Sequence, residues 1–195
     1  MKKWILPIVI IILLLFWGFG VNNNAVELQE GTKEAWADVE SSYQRRNDLI
    51  GNLVKTVQGA ADFERTTLRE VIEARAKATS TTIDASNLTA ENIAQFQQAQ
   101  SGLSGALSKL LVSVERYPEL KANQNFVELQ SQLEGTENRI NIARDRFNDA
   151  VRPYNSYVRK FPAKLIAGII GFDEMGYYES EEGSDQPVDV DFDFN

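Results

Sequence analysis

The stretch Tyr117–Pro162, YPELKANQNFVELQSQLEGTENRINIARDRFNDAVRPYNSYVRKFP, decides the fold. Its apolar residues recur in alternating steps of three and four: Phe126, Leu129, Leu133, Thr136, Ile140, Ala143, Phe147, Ala150, Tyr154, Tyr157 and Phe161. That spacing is a heptad seam on an α-helix, with Thr136 its one polar member. A stripe of this length is stable only beneath another helix, so the rest of the chain must cover it. The helix should begin near Asn125, which has Glu128 three residues on, as in a capping box. Pro153 should kink it, and Tyr154, Tyr157 and Phe161 read as aromatic plugs at one end of a bundle. Arg139, Arg146, Glu137 and Arg144 flank the seam, where long stems cover apolar surface and charged heads pair across to a neighbour.

Upstream, a second seam runs through Trp36, Val39, Tyr43, Arg46, Ile50, Leu53, Val57, Ala60, Glu64, Thr67, Val71, Ala74 and Ala78. Unbroken from Ala25 to Thr79 it would extend about 80 Å. Gly51 and Gly59 each weaken it by roughly 1 kcal/mol relative to Ala, and Gly59-Ala60-Ala61-Asp62 is the expected kink. Ser80–Asn87, STTIDASN, reads as a loop. Thr89 then caps a helix whose seam is Ile93, Phe96, Gln100, Leu103, Leu107, Leu110, Val114 and Tyr117, ended by Pro118. Gly102, Ser104, Gly105, Ala106 and Ser108 predict a close helix approach, with a flexible exposed segment as the competing reading.

Nearer the start, Trp4–Val21, WILPIVIIILLLFWGFGV, holds 18 residues without a charge. At about 1.5 Å per residue the run is near the lower limit for crossing a bilayer, and Trp4 and Trp17 stand where aromatic residues favour the interface. It reads as a retained anchor. A cleaved signal peptide is the competing reading, with Lys2 and Lys3 as its n-region and Gly18-Phe19-Gly20 as a small-x-small site. Lys2 and Lys3 also place the N-terminus in the cytoplasm and the domain outside. Past Asn22-Asn23-Asn24, the pair Asn24 and Glu27 has capping-box spacing, so either a new helix starts or the anchor helix runs through.

Charge and composition exclude several function classes. The chain has 195 residues, 28 Asp and Glu against 20 Lys and Arg, and neither Cys nor His. Without Cys there is no disulfide or thiolate chemistry. Without His the usual neutral-pH base, the commonest transition-metal ligand and every His-dependent triad are gone. Nine of the acidic residues fall between Asp173 and the C-terminus, leaving a nearly neutral body. It carries no dense basic face for nucleic acid. Periodicity assigns nearly all Asp and Glu to solvated helix faces, so no carboxylate pair facing across a cleft is expected, and the chain reads as no enzyme. No catalytic, cofactor-binding or metal-ligating residue is assigned, and no cofactor is expected.

The run Tyr117-Pro118-Glu119-Leu120-Lys121-Ala122-Asn123, with Asn125-Phe126, Leu129-Gln130, Leu133-Glu134-Gly135-Thr136-Glu137-Asn138-Arg139-Ile140, Ala143-Arg144, Phe147-Asn148, Val151, Tyr154-Asn155 and Phe161-Pro162, resembles the signature of the LemA family. The likeness extends upstream to Val39, Tyr43, Arg45-Arg46, Asp48-Leu49-Ile50 and Asn52-Leu53-Val54, and downstream to Gly171-Phe172. Phe147 departs from it, standing where an aromatic of the Tyr kind is usual. The resemblance implies a bacterial membrane protein with one N-terminal anchor and a mostly helical, antiparallel bundle. It implies no reaction. In many genomes family members accompany membrane metallopeptidases or TPM-domain proteins.

Two segments remain after the signature. Ala163–Phe172, AKLIAGIIGF, is apolar but too short to span a membrane. It has three readings: a fourth helix capping the bundle, a segment in the membrane interface, or a contact with a sister subunit. Gln186–Asn195, QPVDVDFDFN, alternates apolar and acidic residues with strand periodicity. It reads as a disordered acidic tail or as a strand added to a partner's sheet. Leu165, Ile166, Ile169, Ile170, Phe172, Val188, Val190, Phe192 and Phe194 are therefore the candidate partner or self-association residues.

The expected fold is all-α: a transmembrane helix, then an antiparallel up-and-down bundle of three long helices, four if the kink is a break, and an acidic C-terminal tail. Its segments are a basic N-terminus (1–3), the membrane helix (4–21), the bundle (25–162), the short apolar segment (163–172) and the tail (173–195). The expected function is a self-associating, single-pass scaffold at the bacterial cell (inner) membrane. The alternative is an adaptor that binds a membrane peptidase or related partner through the tail. Expected partners are the lipid bilayer, further copies of the chain as a homo-oligomer, and a membrane protein; nucleic acid is not among them.

Overall fold

The computed structural model describes residues 5–59 and 63–179, and every regular element among them is helical. The elements are α1 (Ile5–Gln58), α2 (Arg65–Ser80), α3 (Ala90–Val114), α4 (Pro118–Lys121), α5 (Gln124–Arg159) and α6 (Ala163–Ile170). The Asn22–Asn24 exit does not start a new helix. One helix of 54 residues, about 80 Å long, passes from the apolar run into the body of the protein. Its first part is long and apolar enough to cross a membrane, with mean hydropathy 2.5 over an 18-residue window. From Val21 onward α1 buries Ala25, Thr32, Trp36, Val39, Tyr43, Arg46, Ile50, Leu53 and Val57.

That face lies on α5, the most extensive helix contact among the described residues. The Tyr157 hydroxyl donates to the Val21 carbonyl at 3.3 Å, Trp36 packs edge-on to Phe147 with centroids 5.2 Å apart, and Arg46 reaches Glu137 at 3.3 Å. Residue numbers thus rise along α1 as they fall along α5. The heptad stripe of α5 is therefore covered within the chain. It holds from Phe126 to Phe147 and then steps by one residue, so that Val151 and Val158 are buried where Ala150 and Tyr157 are half-buried. A helix with 3.6 residues per turn drifts from a 3.5 repeat by about 20° per heptad, which accounts for the step. Phe161, expected as a plug, is 79% exposed because α5 stops at Arg159 before that position can turn inward. Phe147 is fully buried against Trp36, where a hydroxyl would need a partner.

The weak point after Gly59 is a reversal and not a kink. α1 ends at Gln58, α2 starts at Arg65, and α2 packs back on α1; Ala60–Asp62 lie outside the described residues. Arg75 of α2 donates from Nε to the Asn47 carbonyl at 2.8 Å, and its guanidinium covers Gly51, where a Cβ would come within 3.0 Å of it. The helix penalty at Gly51 therefore has a packing cause. The break divides the second seam, so the long helices number four among the described residues, with α4 and α6 as short additions.

At the start of α3 the Thr89 hydroxyl accepts from the Asn92 N–H at 3.2 Å, as its sequence predicts. α5 begins earlier than expected. Its cap is Asn123, whose Oδ1 accepts from the N–H groups of Asn125 (3.0 Å) and Phe126 (3.3 Å). The close approach predicted around Gly102 and Gly105 is absent, because a Cβ at either would meet open space. α3 packs on α2 through its other face.

Two apolar clusters form the interior. One gathers Trp36, Val39, Tyr43, Phe96, Ile140, Phe147 and Tyr154; the other gathers Ile50, Leu53, Val57, Val71, Leu103, Leu110 and Phe126. Between them lies a polar layer. Arg46, 3% exposed, donates to Gln100 Oε1 at 2.8 Å, the Gln100 carbonyl at 3.2 Å and Ser104 Oγ at 3.0 Å, besides Glu137. Gln100 Nε2 donates onward to the Ala78 carbonyl at 3.4 Å. The polar interruptions at Arg46 and Gln100 in two separate seams thus meet in one layer, while Thr136 donates its hydroxyl to the Gln132 carbonyl of its own helix at 2.7 Å. A charged group buried at one level penalises any slip of helix register, since the slip would leave it unpaired.

Candidate functional site: the C-terminal strap and helix α6

Past α6 the chain turns on Gly171, whose φ of 93° is the left-handed conformation glycine adopts without a Cβ penalty. It then runs without regular secondary structure along α5 as a strap over residues 172–179. α5 holds the strap by its backbone. Asn155 Oδ1 accepts from the Met175 N–H at 2.9 Å while its Nδ2 donates to the Met175 carbonyl at 2.8 Å. Asn148 repeats the arrangement on Tyr178, both bonds at 2.8 Å. The two asparagines are one heptad apart, about 10.5 Å along a helix, and the two strap residues are three apart, about 10 Å along an extended chain. The two spacings match.

The rest of the groove fixes what lies between and beyond. Gly176 donates its N–H to the Leu88 carbonyl at 2.9 Å and presses against the start of α3. Tyr154 donates its hydroxyl to the Asp173 carbonyl at 2.9 Å. Met175 and Tyr178 are buried, Met175 with its sulfur 3.1 Å from the Thr32 hydroxyl. The Tyr178 hydroxyl is 2.6 Å from that of Tyr43, and the Arg144 guanidinium lies 4.1 Å over its ring. Burial pushes both phenols above the usual tyrosine range, so both are neutral hydrogen-bonding groups. Gln97 of α3 and Arg144 of α5 each donate to the Glu179 carbonyl at 2.9 Å, where the described chain ends. Beyond them the seam between α3 and α5 opens into a cleft of about 300 Å³ beside Arg46, Leu107, Leu111, Leu133 and Glu137.

The residues singled out in sequence divide into three groups. Leu165, Ile169 and Ile170 project from α6 and are exposed. Ile166 is half-buried against α1, its Cδ1 3.9 Å from the place of a Cβ on Gly18, and Phe172 is half-buried on the core. Val188, Val190, Phe192 and Phe194 lie outside the described residues. The segment read as a tail from residue 173 is not all tail, because Asp173–Glu179 belongs to the folded body: Asn155 and Asn148 satisfy its backbone and the core takes two of its side chains. Read in sequence, Asn148 and Asn155 have no role beyond their place in the family signature, so their hold on the strap is missed. The available signal was two asparagines seven apart inside a helix, where neither can cap and Asn is a poor helix former. Among the described residues no three Asp or Glu side chains gather as a cation site.

Residues 35–192 match the LemA family. Magnetosome protein MamQ 2 of Paramagnetospirillum magneticum is 25% identical over 185 residues, which cover 85% of this chain and 67% of the relative. Magnetosome protein MamQ of Magnetospirillum gryphiswaldense has the same identity and coverage. Protein LemA of Metamycoplasma hominis is 21% identical over 172 residues, 88% of this chain and 74% of the relative.

Proposed function

Because the chain belongs to the LemA family, we propose that it is a membrane-anchored, non-enzymatic presentation scaffold. Residues 4–21 span the cell (inner) membrane of a bacterium, an antiparallel up-and-down bundle stands outside the cytoplasm, and the bundle offers its acidic tail to a partner protein. The observation that carries this reading is the strap. Side chains of α3 and α5 fasten the chain as far as Glu179, so the tail starts from a fixed point and not from the end of α6. Arg144 lies 13 positions before Tyr157, which touches α1 at Val21, so that point stands about 20 Å beyond the end of the apolar run. A fixed origin at a set height raises the effective concentration of the tail for a partner in the same membrane. Self-association through the α5 stripe has less support, since α1 covers the stripe.

The test is purification of the tagged full-length chain and of a form ending at Glu179, both in mild detergent. The full chain should recover a membrane protein that the shortened form does not, while both unfold at the same temperature. Recovery unchanged by the truncation would overturn the reading. A discrete homo-oligomer with no other protein would replace it with self-association.

A further inference from the structure

Helix α6 lies at the depth of the apolar run. Ile166 faces α1 at Gly18, its Cδ1 3.9 Å from the place of a Cβ there, three residues or about 4.5 Å before Val21 and inside the stretch without charges. Its own faces are unequal. Ala163 and Ala167 are buried against the body, Ile166 sits at the border, and Leu165, Ile169 and Ile170 are 58%, 83% and 50% exposed. Phe161, just before the helix, projects as well. At 100° per residue Ile169 and Leu165 lie about 60° and 100° round from Ile166, on the side away from Ala163 and Ala167, and the uncharged stretch of α1 at this depth is itself exposed at Phe16, Trp17 and Phe19. Lys164 is the one charged residue in α6, and with Lys160 it can carry its stem along apolar surface to a charged headgroup.

From this geometry we infer that α6 is a membrane-interface helix. Its Leu165–Ile169 face is immersed in the boundary between headgroups and acyl chains of the leaflet that α1 crosses, and the bundle is held at two points on the bilayer. The occupant is lipid because the face lies at the depth of the exposed, uncharged stretch of α1, which lipid covers in the same reading; no face of a second copy is needed to cover it. A helix lying in an interface buries its apolar side about 5–10 Å into that boundary, the depth at which Gly18 and Val21 leave the bilayer. The inference rests on reading residues 4–21 as an anchor.

The chain has no cysteine, so Leu13→Cys, Ile169→Cys and Val112→Cys each give one labelling site on the full-length protein. All three side chains are exposed, so the fold should tolerate the label. Each variant is placed in phosphatidylcholine–phosphatidylglycerol vesicles with brominated acyl chains. The label at 169 should lose about half or more of its emission to the bromines, less than the label at 13, and should resist aqueous iodide. The label at 112 should show the reverse. Iodide quenching at 169 equal to that at 112 overturns the inference, and shielding from both quenchers also overturns it by assigning the face to another protein surface. A label at 13 that lipid does not quench overturns the anchor itself, a separate result.

Discussion

Asn155 holds Met175 by both ends of its amide, accepting from the N–H at 2.9 Å and donating to the carbonyl at 2.8 Å. The pair behaves like one rung of a β-ladder in which a helix side chain replaces the neighbouring strand. It satisfies a buried extended segment that has no strand beside it, where each unpaired backbone group would be costly. Replacing Asn155 by Leu should cost about 2–4 kcal/mol, because two buried backbone groups lose their partners together. Asn148→Leu should cost less, since Asn148 is half-buried where Asn155 is buried. Urea unfolding in detergent measures the cost. Hydrogen exchange should show protection lost over residues 175–179 while the middle of α5 stays protected.

The Tyr43 and Tyr178 hydroxyls, 2.6 Å apart, predict an alkaline limit to stability. Burial raises both above 10.0, Tyr178 the more strongly. The folded protein therefore keeps protons that the unfolded chain releases once pH exceeds 10.0. The stabilisation is complete below that pH and is lost as pH climbs toward the folded values. Unfolding free energy should be flat in these groups from neutrality to about pH 9 and fall above about 10. Tyr43→Phe should lower stability by about 1 kcal/mol at neutral pH and make the alkaline fall shallower. Tyrosinate absorbance followed beside unfolding checks both.

Arg46 is the residue whose role depends most on packing that one seam cannot reveal. Sequence periodicity marks it as a polar interruption, as it marks Gln100, but only the folded chain brings the two together. The heptad pattern, the Thr89 cap and the α2–α3 loop were legible because they depend on residues within one or two turns. The α1–α2 reversal was legible only as a weak point, because Gly59 states that a helix falters and not where the chain goes next. The strap was illegible for a related reason. Its backbone is satisfied by side chains, so Asp173–Glu179 carries no strand alternation and its acidic residues make it look like solvated tail.

The polar layer predicts an asymmetry between partners. Arg46→Met removes the donor to Gln100 and Ser104 and should cost about 2–3 kcal/mol, the range for buried hydrogen bonds to a charged group. Glu137→Gln should cost under about 1 kcal/mol, because Glu137 is half in water and the ion pair is screened. Equal losses in the two variants, measured by thermal unfolding, would show that the ion pair and not the Gln100 contacts dominates the layer.

Gly176→Ala separates the strap from the rest of the fold. A Cβ there would lie 2.5 Å from Ala90 Cα and 2.7 Å from Ala90 N, both backbone atoms of the α3 N-terminus that cannot swing aside. The strap must lift or α3 must shift, and lifting the strap disturbs less of the core. Met175 and Tyr178 would then return to water, a loss of about 3–5 kcal/mol at the usual value of a buried side chain. Gly168→Ala is the control, because its Cβ meets open space and it should be neutral or stabilise α6 by about 0.5–1 kcal/mol. Limited proteolysis of the Gly176→Ala protein should cut within residues 173–179 while α1 and α5 remain resistant. If function requires a tail fixed at Glu179, this variant should lose partner recovery nearly as fully as the truncation, although every tail residue is present. Undiminished recovery would show that the partner reads the tail sequence alone, and the strap would then be a device for closing the core.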